Sequence, residues 1–268
     1  MGNTSGTEVY TTANFNLPAK EISDIERYID VKRGEIYLAK GIIFVEGIAE
    51  EYLVPSFAKH LGCDLDRLDV VVCNINSTNF WPYKQFADLL GIPNAIITDG
   101  DYYHTVGGDK VFGDLSDGSY KNTGYYGNER MEELCELFMD EDEFTSFAEL
   151  KPAQQDEELS KYGIFVGVYT FEIDILRKIY KESDRKIICS VFNELSDGGK
   201  KQKDNFKANM DSQDFKKCLA QIESSHSNIG KGRFAQRLAS VCTKAMVPDY
   251  VKDAIEHICS EVRGELDE

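Results

Sequence analysis

The sequence predicts an α/β fold with a mostly parallel sheet, and two observations support this. Short apolar segments rich in β-branched residues alternate with amphipathic segments of helical periodicity through residues 41–101. Several of the apolar segments also end in acidic residues beside a glycine. In such sheets, ligands bind just beyond the carboxyl ends of the strands. The acidic strand ends are therefore expected to share one edge of the sheet.

The first half of the chain is expected to form the sheet and its helices. A helix is predicted over residues 20–40, where isoleucine and leucine are interleaved with charged residues. GIIFVEG (41–47) predicts a buried strand ending at a turn, and IAEEYLVPSFAKHLG (48–62) predicts a helix despite Pro55. DVVVCNI (69–75), WPYKQFADLLG (81–91) and NAIITDGD (94–101) then predict a strand, a helix closed by Gly91 and a third strand.

The second half is expected to be mainly helical. Residues 102–128 are rich in Gly, Tyr and Asp and predict a long loop or insertion, and residues 129–160 predict acidic helices interrupted near Lys151 and Pro152. A short strand over 163–168 and a helix should follow. Residues 196–212, with GGKKQKDNFK, predict a mobile loop, and residues 213–263 predict three helices. We expect a flexible segment at 1–19, a core at 20–195 with an insertion around 102–160, and a C-terminal part at 196–268.

The net charge of −17 and pI of about 4.7 argue against a broad phosphate-binding surface, because such surfaces are usually basic. Two interpretations stay open on charge alone. The chain could be an ordinary acidic soluble protein, or part of its acid could be clustered to hold cations.

The seven cysteines are scattered, odd in number and without a CxxC pair. This pattern argues against a zinc site or a disulfide framework, and it fits a reducing cytoplasm. The apolar segments are about half the length needed to cross a bilayer, so no membrane association is expected. The N-terminus shows no signal-peptide pattern.

Two acidic motifs follow predicted strands. In VEGIAEEYL, Glu46 ends a strand and Glu50 lies in the first turn of the next helix, so both can point beyond the sheet edge. In ITDGD, Asp99 and Asp101 flank Gly100 and can share a hard cation such as Mg²⁺. A first-turn acid favoured by the helix dipole and an ordinary Asp-Gly turn are the alternative explanations.

A third motif, YTFEID, places Thr170 and Glu172 after another apolar strand, with Asp174 nearby. This strand end makes room for a second cation. Two ions about 3.5–4 Å apart can activate water and stabilise the leaving oxygen of a phosphodiester. A helix start with threonine as N-cap and glutamate in the first turn explains the motif equally well.

NIGKGRFAQRLA places Lys231 between two glycines just before an amphipathic helix, where it can point at a phosphate and stabilise charge in a transition state. A basic surface loop is the alternative. No GxxxxGK[ST] motif occurs. None of the four histidines is assigned a role, although His104 follows the DGD turn.

In this order, the motifs VEGIAEEYLVP, VVVCNINSTNFWPYKQFADLLGIPNAIITDGD, YTFEIDI and GKGRFAQRLA resemble the TOPRIM region of OLD (overcoming lysogenization defect) family nucleases, including Gabija-type nuclease subunits. The resemblance implies a Rossmann-like TOPRIM core with a helical insertion and a helical C-terminal part. It also implies an endonuclease that cuts or nicks DNA with two Mg²⁺ or Mn²⁺ ions and acts in phage defence or DNA processing.

The resemblance also assigns roles to residues. It implies Glu46, Glu50 and Lys231 as catalytic residues, and it implies as metal ligands Glu46, Glu50, Asp99, Asp101, Thr170 and Glu172. OLD proteins begin with an ABC-type ATPase domain, but this sequence has no Walker motif, so we expect an isolated C-terminal region or a stand-alone relative. An ABC-type ATPase domain and a helicase are expected partners beside DNA. A TOPRIM enzyme acting on RNA, and a non-catalytic metal-binding assembly module, stay open as alternatives.

Overall fold

A computed structural model describes residues 34–101, 103–106, 109–112 and 138–267, together with residues 18, 19, 22 and 135. The flexible segment predicted at 1–19 and most of the helix predicted over 20–40 lie outside these residues. The described end of that predicted helix, Gly34–Leu38, is a 3₁₀-helix.

The centre of the molecule is a four-stranded parallel sheet. Its strands are β1 (Gly41–Val45), β2 (Val70–Asn74), β3 (Asn94–Thr98) and β6 (Ile164–Val166), in the order β2-β1-β3-β6. Strands β4 (Tyr103–Val106) and β5 (Asp109–Phe112) form a separate antiparallel hairpin. The near-continuous apolar character of β1 and β3 fits strands buried on both faces. The predicted α/β fold with a parallel sheet is confirmed.

Ten helices are described. In the first part of the chain they are α1 (Ile48–Leu61), α2 (Trp81–Leu89), α3 (Glu141–Ala148), α4 (Pro152–Lys161) and α5 (Phe171–Arg177). The later helices are α6 (Glu182–Leu195), α7 (Lys200–Asp211), α8 (Phe215–Glu223), α9 (Lys231–Ala239) and α10 (Asp249–Asp267). Short 3₁₀-helices span Asp66–Leu68 and Lys244–Met246. Helix α1 continues through Pro55, as predicted.

Side chains alternate across β1 and divide the interior into two cores. Ile43 and Val45 face a large core shared with α1, α9 and α10. Ile42 and Phe44 face a second core that includes Phe86 of α2, as well as residues of α3 and α4. The sheet is therefore a middle layer between helices, and its carboxyl edge is left for a site.

Two predictions about loops were wrong in part. The predicted loop over 102–128 contains the β4–β5 hairpin, so the insertion is not purely helical in its described residues. The predicted mobile loop over 196–212 contains helix α7. Phe206 and Met210, four residues apart, bury one face of α7, and Phe206 stacks on Phe192 with ring centroids 3.9 Å apart. Two apolar contacts thus fix a segment that is polar by composition.

Apart from the helix predicted over 20–40, the other secondary-structure predictions agree with the structure where they fall on described residues. Helices α3 and α4 are separated near Lys151 and Pro152, and α8, α9 and α10 occupy the region predicted to hold three helices. All seven cysteines are free thiols. Among the described residues, no helix is both long and apolar enough to span a bilayer. The proposed domain boundaries stay a prediction.

Candidate active site

The carboxyl ends of β1 and β3 bring Glu46 and Asp99 together. These strands are neighbours, with Val45 opposite Ile97, so the residues that follow leave the sheet side by side. The Thr98 hydroxyl and the Asp99 backbone N–H, the latter at 3.0 Å, both donate to Glu46 Oε1. The end of β3 therefore fixes the orientation of the Glu46 carboxylate.

Glu50 lies in the first turn of α1 and is only 6% exposed. Burial, followed by repulsion from Glu172 and Glu46, raises the pKa of Glu50 to about 8. A simple helix-dipole role does not require burial beside two other acids. Glu50 therefore belongs to a cluster of like charges in which the ionised form is disfavoured unless positive charge is present.

Asp99 connects this cluster to α5, because the Phe171 N–H donates to Asp99 Oδ1 at 2.8 Å. Burial raises the pKa of Asp99 well above its usual value, and the carboxylates of Glu46, Glu50 and Glu172 raise it further. The four acids thus act on one another electrostatically, although they come from three separate stretches of the chain.

Asp101 follows Asp99 on the DGD turn and has a left-handed backbone, with φ of 45°. The backbone N–H groups of Gly100 and Asp101 donate to the Tyr169 carbonyl at 3.1 and 3.3 Å. Asp101 adds to the repulsion acting on Asp99. The turn is therefore attached to the segment before α5, as well as to the sheet.

Lys231 supplies a positive charge at the start of α9. Its Nζ lies 3.1 Å from Glu172 Oε2 and 3.5 Å from Glu223 Oε1. Burial lowers the pKa of Lys231, but Glu172, Glu223 and Asp99 outweigh it and raise the pKa above its usual range. The lysine is therefore a fixed cation beside the acidic cluster.

Thr170 precedes α5, and its Oγ1 is buried without a hydrogen-bond partner among the described residues. Such an atom is rare in folded proteins and suits a ligand oxygen. The surrounding donors are carboxylates, the type of donor that Mg²⁺ and Mn²⁺ prefer. The chemistry of the residues fits a hard divalent cation.

No three His, Cys, Asp or Glu side chains of the described residues are arranged so that they could hold one metal ion together. This arrangement differs from an all-protein cage. It is compatible with magnesium chemistry, in which one or two carboxylates bind the ion and water or substrate oxygens complete its coordination.

The structure therefore brings most of the predicted residues to one place. Glu46, Glu50, Asp99 and Glu172 form the cluster, and Lys231 pairs with Glu172. Asp101 interacts with the cluster by electrostatic repulsion of Asp99. Thr170 lies two residues before Glu172 in the sequence. The side chain of His104 lies outside the described residues.

Sequence reasoning missed three residues near the site. Thr98 binds Glu46, and its position directly before Asp99 at a strand end was an available signal. Glu223 contacts Lys231 across a loop, and the Tyr250 hydroxyl is buried near the cluster. No local pattern distinguishes either of these two residues from an ordinary surface or core position.

Known proteins share this arrangement of motifs. The sequence model of the TOPRIM domain of overcoming lysogenization defect (OLD) protein-like proteins matches residues 38–101, which include both VEG and DGD. This part of the chain is therefore similar to an OLD-like TOPRIM domain. The resemblance to this family, stated from the sequence, is confirmed.

Solved structures extend the likeness beyond the TOPRIM domain. The C-terminal region of the OLD protein of Burkholderia pseudomallei has 29% sequence identity and a TM-score of 0.61, covering 84% of this chain and 98% of that chain. The corresponding region from Xanthomonas campestris pv. campestris has 28% identity and a TM-score of 0.60, covering 87% and 99%. The TOPRIM fold prediction is confirmed, and the likeness covers much more of the chain than residues 38–101.

A curated relative is Endonuclease GajA of Bacillus cereus (strain HuB5-5), 21% identical over 264 residues. The match covers 92% of this chain and 35% of GajA, so the chain spans about a third of that relative's length. The relationship links the TOPRIM chain to a nuclease.

Proposed function

We propose that this TOPRIM chain is a divalent-metal-dependent DNA endonuclease with a two-metal mechanism. Glu46, Glu50, Asp99, Asp101, Thr170 and Glu172 would hold the cations, and Lys231 would act beside them on the phosphate. One observation carries the proposal. Four carboxylates and one lysine, from the ends of two strands and the starts of three helices, converge at the carboxyl edge of the sheet.

Bound divalent ions would supply Lewis-acid activation of the phosphodiester and of a water nucleophile. The chain's residues have separate tasks around that chemistry. Glu46 is held in one orientation by Thr98 and the Asp99 N–H, so both oxygens of its carboxylate have a fixed direction. Lys231 stays protonated and offers a positive charge to the phosphate oxygens or to the departing oxygen.

DNA is the proposed substrate because GajA is named an endonuclease and the structural relatives are OLD proteins. The chain's net charge of −17 provides little general attraction for a polyanion. We infer that DNA affinity depends on the local positive charge of Lys231 and the cations. The ABC-type ATPase domain, a helicase partner, a cytoplasmic location and a role in phage defence stay predictions.

Plasmid cleavage tests the proposal. Supercoiled DNA would be incubated with the full chain and Mg²⁺ or Mn²⁺, beside Glu50→Ala and its neighbour Glu51→Ala. Glu51 lies on the same helix, but its carboxylate accepts from Asn74 Nδ2 at 3.2 Å. We expect nicked or linear product from the wild type and Glu51→Ala, with loss of at least two orders of magnitude for Glu50→Ala.

Equal cleavage by the wild type and Glu50→Ala would contradict the proposed site. Cleavage of single-stranded or duplex RNA in preference to matched DNA would favour the RNA alternative. Divalent-metal binding by calorimetry without any cleavage would favour the assembly-module alternative, because the carboxylates would then bind cations without acting on a phosphodiester.

A further inference from the structure

Asp174 is a buried acid that the roles above do not use. It lies on α5 two residues after Glu172 and is 5% exposed. Its Oδ2 accepts the backbone N–H groups of Val168 at 2.8 Å and Tyr169 at 3.1 Å, and Arg177 Nη1 donates to its Oδ1 at 3.2 Å. A buried carboxylate with two backbone partners fixes the conformation of the segment to which it binds.

That segment is the 167–170 loop, which joins β6 to α5. The Gly167 N–H donates to the Thr98 carbonyl at 2.8 Å, and the Tyr169 carbonyl accepts from Gly100 and Asp101. Thr170 ends the loop. The backbone that Asp174 holds is therefore bonded directly to the end of β3 and to the DGD turn.

We infer that Asp174 is a positioning residue, which holds the 167–170 loop so that the DGD turn and Thr170 face the proposed cations. The inference rests on the proposed function of this site. The Asp174 backbone N–H donates to the Thr170 carbonyl at 3.0 Å, as in any helix start. The effect of its side chain passes through Val168 and Tyr169 to Gly100 and Asp101.

Tight packing limits other positions of the loop. A Cβ added to Gly100 would lie 2.0 Å from the Gly167 carbonyl oxygen. A Cβ added to Gly167 would lie 2.8 Å from Asp174 Oδ2 and 3.0 Å from the Tyr250 hydroxyl. The two glycines let the backbones approach, and the loop cannot move toward α10 without displacing Asp174 or Tyr250.

Arg177 reinforces the same arrangement. Besides donating to Asp174, its guanidinium lies 4.9 Å from the centre of the Tyr169 ring. Tyr169 is therefore held through its N–H by Asp174 and through its ring by Arg177, while its carbonyl holds the DGD turn. Residues that orient a ligand in this indirect way commonly change metal affinity by about 10–100-fold when they are replaced.

The test compares Asp174→Ala, Asp174→Asn and Gly167→Ala with Asp184→Ala as a matched control. Asp184 lies on α6, is 7% exposed, and accepts a hydrogen bond from the Thr243 hydroxyl at 3.3 Å. Two Mn²⁺ midpoints would be measured for each full-length chain. The first is the Mn²⁺ concentration that gives half of the maximal rise in melting temperature. The second is the Mn²⁺ concentration that gives half of the maximal rate of plasmid nicking.

We expect Asp174→Ala and Gly167→Ala to raise both Mn²⁺ midpoints about tenfold, with the nicking rate at saturating Mn²⁺ within about twofold of wild type. Asp174→Asn should fall between wild type and alanine, because its amide oxygen can still accept the two N–H groups. Asp184→Ala should lower the melting temperature without moving either midpoint. If Asp174→Ala does not fold, the asparagine and Gly167→Ala variants carry the comparison.

Unchanged Mn²⁺ midpoints in the Asp174 and Gly167 variants, whatever their melting temperatures, would overturn the inference and leave Asp174 with a structural role only. The proposed function fails separately if the wild type is stabilised by Mn²⁺ but does not cut DNA. In that case the melting midpoints still decide the role of Asp174. A wild type that shows neither stabilisation nor cleavage would overturn both.

Discussion

The carboxyl edge of the sheet and the face covered by α10 use the same strands in opposite ways. Against β1, β3 and β6, α10 places fully buried apolar side chains, among them Ile255, Ile258 and Val262. At the carboxyl edge the same strands lead to buried acids, with Glu50 and Asp99 shifted to raised pKa values. One region gains stability from burial, whereas the other loses stability through like-charge repulsion and desolvation.

The difference indicates that the two regions have been shaped for separate purposes. Apolar packing between α10 and the sheet contributes folding free energy that does not depend on pH or metal. At the acidic edge, burial and repulsion of the carboxylates reduce the folding free energy, but the concentrated negative charge suits cations. Variants in the two regions should therefore separate stability from activity.

The largest expected effect is on activity at the acidic edge. Lys231→Ala should lower the DNA cleavage rate by about 10²–10³-fold, because it removes the fixed positive charge beside Glu172. Arg237→Ala is the matched control, since Arg237 lies on the same helix and pairs with Glu194 Oε2 at 2.8 Å away from the site. Initial rates of plasmid nicking at saturating Mn²⁺ check the prediction, and equal losses for both variants would contradict it.

The next effect is on stability at the apolar face. Ile258→Ala should lower the free energy of unfolding by about 3 kcal/mol, because Ile258 is fully buried between α10 and β1. Chemical denaturation would measure the loss. The Mn²⁺ midpoint for cleavage should stay that of wild type, and a shift of that midpoint would mean that the two regions are coupled.

A smaller effect of opposite sign is expected from Glu50→Gln. The folded-state pKa of Glu50 is about 8, above its usual 4.5, so its favourable contribution is fully present below pH 4.5 and is lost as the pH rises through 8. In metal-free buffer at pH 8, the free energy of unfolding of the variant should be higher than that of wild type, by a few kcal/mol at most. Near pH 4 the difference should vanish.

Thermal melts with a chelator at both pH values test this, with Glu51→Gln as the control. If the melting temperature of Glu50→Gln at pH 8 is equal to or below that of wild type, the ionised Glu50 carboxylate does not destabilise the fold. Cleavage by Glu50→Gln should be lost in the same preparation, so the stabilised variant would also be the inactive one.

The smallest effect concerns an ion pair outside both regions. Arg237→Ala should leave the free energy of unfolding almost unchanged, because its pairing with Glu194 is solvent-exposed. Urea denaturation at low and high salt would measure it. A larger loss would mean that α9 depends on this pair for its attachment, and the residue would no longer serve as a control for Lys231.

The sequence was most informative where local pattern determines structure. The apolar runs at 41–45, 70–74 and 94–98 form buried strands, because helices cover the sheet on both faces. The acids that follow the first and third of these runs, Glu46 and Asp99, are visible in the sequence. The DGD turn was correctly placed at the end of β3, because the strand before it is short and strongly apolar.

Prediction failed where distant contacts determine the outcome. Helix α7 has only Phe206 and Met210 as apolar anchors in a lysine-rich segment, and their partners come from other helices. The backbone contacts of Asp174 depend on how the 167–170 loop turns, and the approach of Glu223 to Lys231 depends on the packing of α8 and α9. None of these relationships has a local signal.

The packing of α9 on α1 has a consequence for the order of assembly. Gly232 approaches Ile48 so closely that an added Cβ would lie 2.9 Å from Ile48 Cγ2, and Lys231 begins the same helix. During synthesis, the segments that carry Glu46 and Asp99 leave the ribosome well before Lys231 does. The lysine therefore reaches the acidic sheet edge only when this late helix packs on the early helix α1. The site is therefore whole only after Lys231 has joined acids that were synthesised well before it.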